Sequence, residues 1–197
     1  LTSKVWDGEQ LQNKKLLVIS EQGIGDLIQF TRYLYEIKKK YAAKIIIYLK
    51  SKKFSHFFDK KIFSIIFDGD SIPEHDYHIH LLSILGVFNK KNNLFIDPIN
   101  FFQKNHEIEN KWIEKLKKYS SIKIGINCNT SLLKKNIPIN MFTELASNFK
   151  FNFIILQKEF DIKQIKEFKN ILYFEEMDTS EHAFIDSIEI IKQLDLV

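Results

Sequence analysis

An apolar run, a glycine turn and an amphipathic helix follow one another between residues 15 and 40. Residues 15–20 read KLLVIS, a short apolar stretch of the kind that forms a strand buried on both faces. Glu21-Gln22-Gly23-Ile24-Gly25 follows as a turn. From Asp26 onward Leu27, Phe30, Leu34 and Ile37 recur at helical spacing, and Lys38, Lys39 and Lys40 gather where the helix dipole favours cations. Strand, turn and helix make the opening of a βαβ unit. Such a unit requires a parallel partner strand with the helix packed across it.

The rest of the chain supplies those partners. Residues 44–49 (KIIIYL) read as a second strand, 51–59 as a helix, 62–67 as a strand, 76–80 as a short strand and 81–88 as a short helix. The segment 105–119 is a polar helix with Ile108, Trp112 and Leu116 on one face, and it reads as a connector. The alternation then restarts, with strands at 122–127, 151–156 and 171–174 and helices at 139–149, 162–168 and 184–194. Residues 195–197 open a further strand. The expected fold is α/β, with two Rossmann-like α/β/α domains, the second incomplete. The expected boundaries are 1–103 for the first domain, 104–120 for the connecting helix and 121–197 for a partial second domain. A sheet ending there would leave an unpaired edge, so the 197 residues read as an excerpt of a longer protein.

Composition narrows the function. The chain is 45% hydrophobic and 27% charged, enough apolar material for a core and unlike a disordered segment. Cys128 is its single cysteine, so no disulfide forms within the chain, which suits a reducing compartment. No stretch approaches the roughly 20 apolar residues of a membrane span, and nothing near Leu1 resembles a signal peptide. The net charge is +4, but Arg32 is the only arginine among 29 basic residues. Nucleic-acid readers lean on arginine for bidentate contacts. The lysine excess accompanies abundant isoleucine, asparagine and phenylalanine, which reads as codon bias, and no nucleic-acid partner is expected.

A strand that turns through Gly23-x-Gly25 into a helix brings backbone N–H groups toward an anion. The third glycine of a dinucleotide fingerprint would fall at Ile28 and is absent. The second strand ends Tyr48-Leu49-Lys50, with no carboxylate to hold a ribose. Both departures weigh against NAD. Asp26 carries two readings: a carboxylate compensating the helix dipole, or a carboxylate placed where open α/β sheets bind their ligands.

Trp6-Asp7-Gly8-Glu9, Leu16-Leu17-Val18 and the run from Glu21 to Phe30 (EQGIGDLIQF), with Arg32-Tyr33, closely resemble a bacterial glycosyltransferase-like domain. That domain often follows tetratricopeptide repeats and is similar to the heptosyltransferases of the GT-B fold. Asp76-Tyr77-His78 with Leu82-Ser83, Thr130-Ser131 before Lys135-Asn136-Ile137-Pro138, and Leu156-Gln157-Lys158 resemble further stretches of the family in the same order. Asp195-Leu196-Val197 resembles the opening of its D-L-V-I-S-x-D-T-x-x-A-H-L segment. The resemblance covers nearly the whole chain and implies that the chain stops just before a loop of the nucleotide-sugar pocket.

The resemblance implies a transferase that moves a sugar from a nucleotide-sugar to a hydroxyl acceptor, with inversion and without a metal. Asp26 would be the catalytic base. Gly23 and Gly25 would admit the phosphates closely, and Thr130, Ser131 and Lys135 would meet the leaving diphosphate. Gln29 and Arg32 would line the acceptor side, or else pair on the helix surface. No cofactor is implied beyond the donor substrate. The acceptor would be a glycan, a lipid-linked glycan or a protein. Tetratricopeptide repeats would share the full-length chain, in the cytoplasm or at the periphery of the inner membrane. The chain by itself would be inactive or nearly so. An alternative is a non-catalytic binding or scaffolding module derived from such an enzyme.

Other chemistry-bearing residues have plainer readings. His78 and His80 alternate on one strand face, with His75 and Asp76 nearby, but the further ligands of a zinc site are not specified. Cys128 follows a buried strand and reads as packing. Glu175, Glu176, Asp178 and Glu181 read as a solvated loop. Trp6 and Trp112 read as packing.

Overall fold

The computed structural model describes residues 1–90, 96, 102, 104–129 and 136–197. The chain forms two compact units, Leu1–Gln103 and Lys104–Val197.

In the first unit five parallel strands stand in the order β1-β5-β2-β3-β4. They are β1 (Lys4–Val5), β2 (Lys15–Ile19), β3 (Lys44–Leu49), β4 (Ser64–Phe67) and β5 (Tyr77–His80). Leu16, Leu17 and Val18 of β2 are all buried, as a central strand covered on both faces requires. Helix α1 (Ile24–Tyr41) turns Leu27, Leu34, Ile37 and Tyr41 inward and begins two residues before Asp26. Ala42 ends it in the left-handed region, φ 48°, and donates its N–H to Lys38 O. Helix α2 (Ile84–Lys90) begins later than its apolar pattern suggests, because residues 81–83 form a turn in which Ser83 N–H donates to His80 O.

β1 is not visible in the sequence pattern, since two residues show no period. It is held by pairing Lys4 and Val5 with Tyr77 and His78, and by the loop after it. Trp6 is buried there, edge-on to Tyr41 with ring centroids 5.5 Å apart, and donates Nε1–H to Glu9 O at 2.9 Å. Glu9 accepts from Lys4 Nζ at 2.5 Å and from Asp7 N–H at 2.8 Å. The Lys4 ammonium, then the backbone donors, pull the Glu9 carboxyl down to about 2. A carboxyl whose folded value is depressed contributes stability above its ordinary value near 4.5, and the contribution disappears as the pH falls toward 2. Glu9→Gln is therefore expected to lower stability by about 1 kcal/mol at pH 7, discounted for partial exposure. Urea unfolding at pH 7 and pH 2.5 checks this, with the two proteins converging at the lower pH.

The second unit has a parallel sheet in the order β6-β7-β8, made of β6 (Lys123–Ile126), β7 (Asn152–Ile155) and β8 (Ile171–Leu172). Leu196 joins the free side of β6 through a single parallel bridge to Ile124, and Gly125 N–H donates to Leu196 O at 2.8 Å. Alternate residues of β7 face two separate cores. Phe153 and Ile155 pack with Ile126, Cys128, Ala146, Ile165 and Ile171. Ile154 packs with Trp112, Leu116, Phe174, Met177 and Ile190. Helix α4 (Ile139–Asn148) contributes to the first of these cores, through Ala146, Ile139 and Phe142. The second is covered by α3 (His106–Leu116) and α5 (Ile185–Ile191). The segment expected as a connector is thus a core helix of the second unit, with Trp112 fully buried.

Two expected helices, at 51–59 and 162–168, are short 3-10 turns, Lys52–Phe57 and Ile162–Ile165. Ser51 Oγ accepts from Lys53 N–H, and Asp161 Oδ1 accepts from Lys163 N–H at 3.0 Å. Periods of 3.0 and 3.6 are indistinguishable over so few residues.

Gly125 lies in β6 against two leucine side chains: a Cβ would stand 2.6 Å from Leu194 Cδ1 and 2.8 Å from Leu156 Cδ1, so both methyl ends would have to shift. Gly125→Ala is expected to destabilise the second unit by about 1 kcal/mol, the low end of overpacking because the two leucine ends can move, measured as a lower denaturant midpoint with an unchanged slope.

The acidic stretch near residue 178 corrects its sequence reading. Glu175 and Glu181 are exposed, but Asp178 is buried. Its Oδ1 accepts from the N–H groups of Asp186 and Ser187, while Asp186 Oδ2 accepts from Asp178 N–H. Asp178 sits at φ 53°, a left-handed conformation that aspartate tolerates. Among the described residues no helix is long and apolar enough to cross a membrane.

Candidate functional site

Chain connections run from β2 through α1 to β3 and then β4, whereas β5 and β1 lie on the other side of β2. The order reverses between β2 and β5. Open parallel sheets bind ligands at the carboxyl ends of the strands flanking such a reversal. Residues 20–26 leave β2 at that point, and His80-Leu81 leave β5 beside them, with Leu81 N–H donating to Ile19 O at 2.9 Å.

The glycines of the turn are not explained by the fold. Gly23 precedes α1 with φ −69°, and only Gly8 and Gly69 have positive φ among the described glycines. A Cβ on Gly23 or Gly25 would meet nothing within 4 Å. Glycine in a helix costs about 1 kcal/mol relative to alanine, and neither packing nor backbone strain here requires it. The open space above the turn is what a closely approaching ligand needs.

Asp26 stands in the first turn of α1, half-buried, without a hydrogen-bond or ion-pair partner among the described residues. Gln29, three residues on, is exposed on the adjacent part of the helix surface. Arg32 lies about 120° around the helix from Asp26. Its Cζ is 5.5 Å from the centroid of the Tyr33 ring, and its Nε lacks a hydrogen-bond partner among the described residues. Gln29 is thus a neighbour on the helix surface of both Asp26 and Arg32, while Arg32 lies further around the helix from Asp26.

Two residues absent from the sequence-based site complete the crevice. Glu21 Oε2 is 3.5 Å from His80 Nδ1, across the boundary between β2 and β5. Lys50, at the end of β3, donates Nζ–H to Glu21 O at 2.6 Å. His78, two residues before His80, is paired with Ser3 Oγ at 2.8 Å, and burial, more than its histidine neighbours, pushes its imidazole down.

In the second unit, the loop after β6 also leaves the carboxyl edge of a sheet. Gln157 Oε1 accepts from Cys128 N–H at 3.0 Å, and Cys128 O accepts from Ile137 N–H at 2.8 Å. These bonds tie the two ends of the segment that carries Thr130, Ser131 and Lys135. Those three residues themselves lie outside the described residues. Cys128 is buried in a core, and that burial pushes its thiol up, away from the reactive thiolate. Among the described residues no three histidine, cysteine, aspartate or glutamate side chains gather as a metal site.

No family profile matches the chain, and no curated protein matches it. A crystal structure described as the glycosyl transferase family 9 from Veillonella parvula is similar in fold. Its TM-score is 0.66 at 12% identity, and the match covers 97% of this chain and 76% of that one. At that identity the likeness concerns the fold: two Rossmann-like parallel-sheet units of the GT-B type.

Proposed function

We propose that the chain carries the sugar-transfer machinery of a glycosyltransferase. The observation that carries this reading is the glycine turn at the β2/β5 reversal, open above both glycines and followed at once by Asp26. The likeness of fold to a glycosyl transferase family 9 structure supports it, as does the resemblance of residues 21–33.

In the proposed reaction an acceptor hydroxyl attacks the anomeric carbon of a nucleotide-sugar. Its proton passes to the Asp26 carboxylate as the new carbon–oxygen bond forms. The bond from the anomeric carbon to the diphosphate breaks, and its electron pair leaves on the nucleoside diphosphate. One displacement inverts the anomeric centre. Lys135 would neutralise the departing charge, with Thr130 and Ser131 as hydroxyl donors. No metal takes part.

Calorimetric titration of the full-length protein with UDP, ADP, GDP and CDP tests the donor side. One of them is expected to bind at micromolar concentration, and Lys135→Ala is expected to weaken that binding about tenfold or more. If none of the four bound, the nucleotide-sugar reading would be wrong.

A further inference from the structure

The crevice holds a pair of groups that the proposed transfer leaves idle. Glu21 and His80 meet across hydrogen-bonded neighbouring strands, with Oε2 and Nδ1 3.5 Å apart. The Glu21 side chain is 24% exposed and the His80 ring 52%. Glu21 Oε2 is buried, and no hydrogen-bond partner reaches it among the described residues. One edge of the imidazole thus faces a buried carboxylate oxygen, while half of the ring is exposed.

A carboxylate oxygen accepts and does not donate. Its negative charge 3.5 Å from Nδ1 favours, in a neutral imidazole, the tautomer with the proton on Nδ1, which leaves the Nε2 lone pair free. Of the charged or titratable groups near this pair, His78 is already paired with Ser3 and Lys50 donates to the backbone of Glu21. An anionic ligand group at Nε2 would meet a site already holding the Glu21 carboxylate. A neutral group that donates a hydrogen bond fits, and the acceptor of a sugar transfer carries such groups as hydroxyls.

We infer that Glu21 and His80 form a hydroxyl-binding subsite for the acceptor, resting on the transfer reading above. His80 Nε2 accepts a hydrogen bond from an acceptor hydroxyl other than the one that reacts. Glu21 is a positioning residue that fixes the tautomer of the ring.

Two measurements test this on the full-length protein. Nitrogen-15 NMR of the labelled histidines at pH 8 is expected to find His80 protonated on Nδ1, and Glu21→Ala is expected to shift it toward the mixture of a free imidazole. A His80 that carries its proton on Nε2, or that ignores Glu21→Ala, overturns the inference. In steady-state transfer, His80→Ala is expected to raise the acceptor KM about tenfold, the loss of one hydrogen bond, with kcat within a few-fold. His80→Gln, which keeps an acceptor atom, should recover part of that loss. Transfer with an unchanged acceptor KM in His80→Ala overturns the subsite while leaving the transfer reading intact. Absence of any transfer in the wild-type protein overturns both, and the failing arm then identifies the transfer reading as the fault.

Discussion

Asp186→Ala is expected to destabilise the second unit by about 2–4 kcal/mol, the cost of leaving two buried donors without an acceptor. The carboxylate is buried at the start of α5 and gathers donors from three places. Trp112 donates Nε1–H at 2.6 Å, Lys111 donates from Nζ at 2.9 Å, and Asp178 donates its backbone N–H at 2.9 Å. In return, Asp178 accepts from the N–H groups of Asp186 and Ser187 and from Ser187 Oγ. Alanine would leave an indole N–H and an amide N–H buried without an acceptor, and each such orphan costs about 1–3 kcal/mol. Lys111 would lose its ion pair while still lying over the Trp112 ring. Asp186→Asn keeps one carbonyl acceptor and is expected to lose less. The indole of Trp112 reports the transition of the second unit in a Trp6→Phe background, which silences the tryptophan of the first unit. A shift in midpoint worth less than about 1 kcal/mol would mean that the network does not hold α3 and α5 together.

Asp26→Asn is expected to lower the rate of sugar transfer by about 10²–10⁴-fold, the usual contribution of a positioned general base. The amide keeps the shape of the carboxylate but cannot take the acceptor proton. Asp26 has no partner among the described residues, so the substitution removes no fold-holding contact. Loss of its favourable position at the N-terminus of α1 is expected to lower stability by only about 0.3–1 kcal/mol. A large loss of rate with nearly unchanged stability and unchanged nucleotide binding separates a catalytic carboxylate from one that merely compensates the helix dipole.

The central elements of both sheets were legible because they are long or continuously apolar. The β3 strand occupies the residues that KIIIYL marks, and β2 and α1 differ from their patterns only at the ends. The α/β class followed from that alternation. What escaped was of two kinds. Some elements are too short to show a period, such as β1 and the two 3-10 turns. Other features depend on contacts between distant residues. Asp178 looks like one more acid in a polar stretch until Asp186 is folded against it. Trp112 shows an apolar stripe on α3, but nothing local says that the stripe faces Ile154 and Phe174.

The site divides in the same way. Gly23, Gly25 and Asp26 are adjacent in sequence and were found as a motif. Glu21 and His80 come together only because β5 pairs in parallel with β2. Before that pairing is known, His80 is one of three nearby histidines and suggests a metal more readily than a carboxylate partner. Arg32, which the resemblance puts on the acceptor side, lies about 120° around α1 from Asp26, with its Cζ 5.5 Å from the centroid of the Tyr33 ring.

Sugar transfer itself is measured most directly as nucleoside diphosphate released by the full-length protein from a panel of UDP-, ADP-, GDP- and CDP-sugars, supplied with glycan acceptors. The expected result is acceptor-dependent release from one donor, with the sugar recovered on the acceptor in inverted anomeric configuration and the release slowed about 10²–10⁴-fold in Asp26→Asn. Release that persists undiminished in Asp26→Asn, or no release from any donor, would contradict the assignment of the glycine turn as the site of transfer.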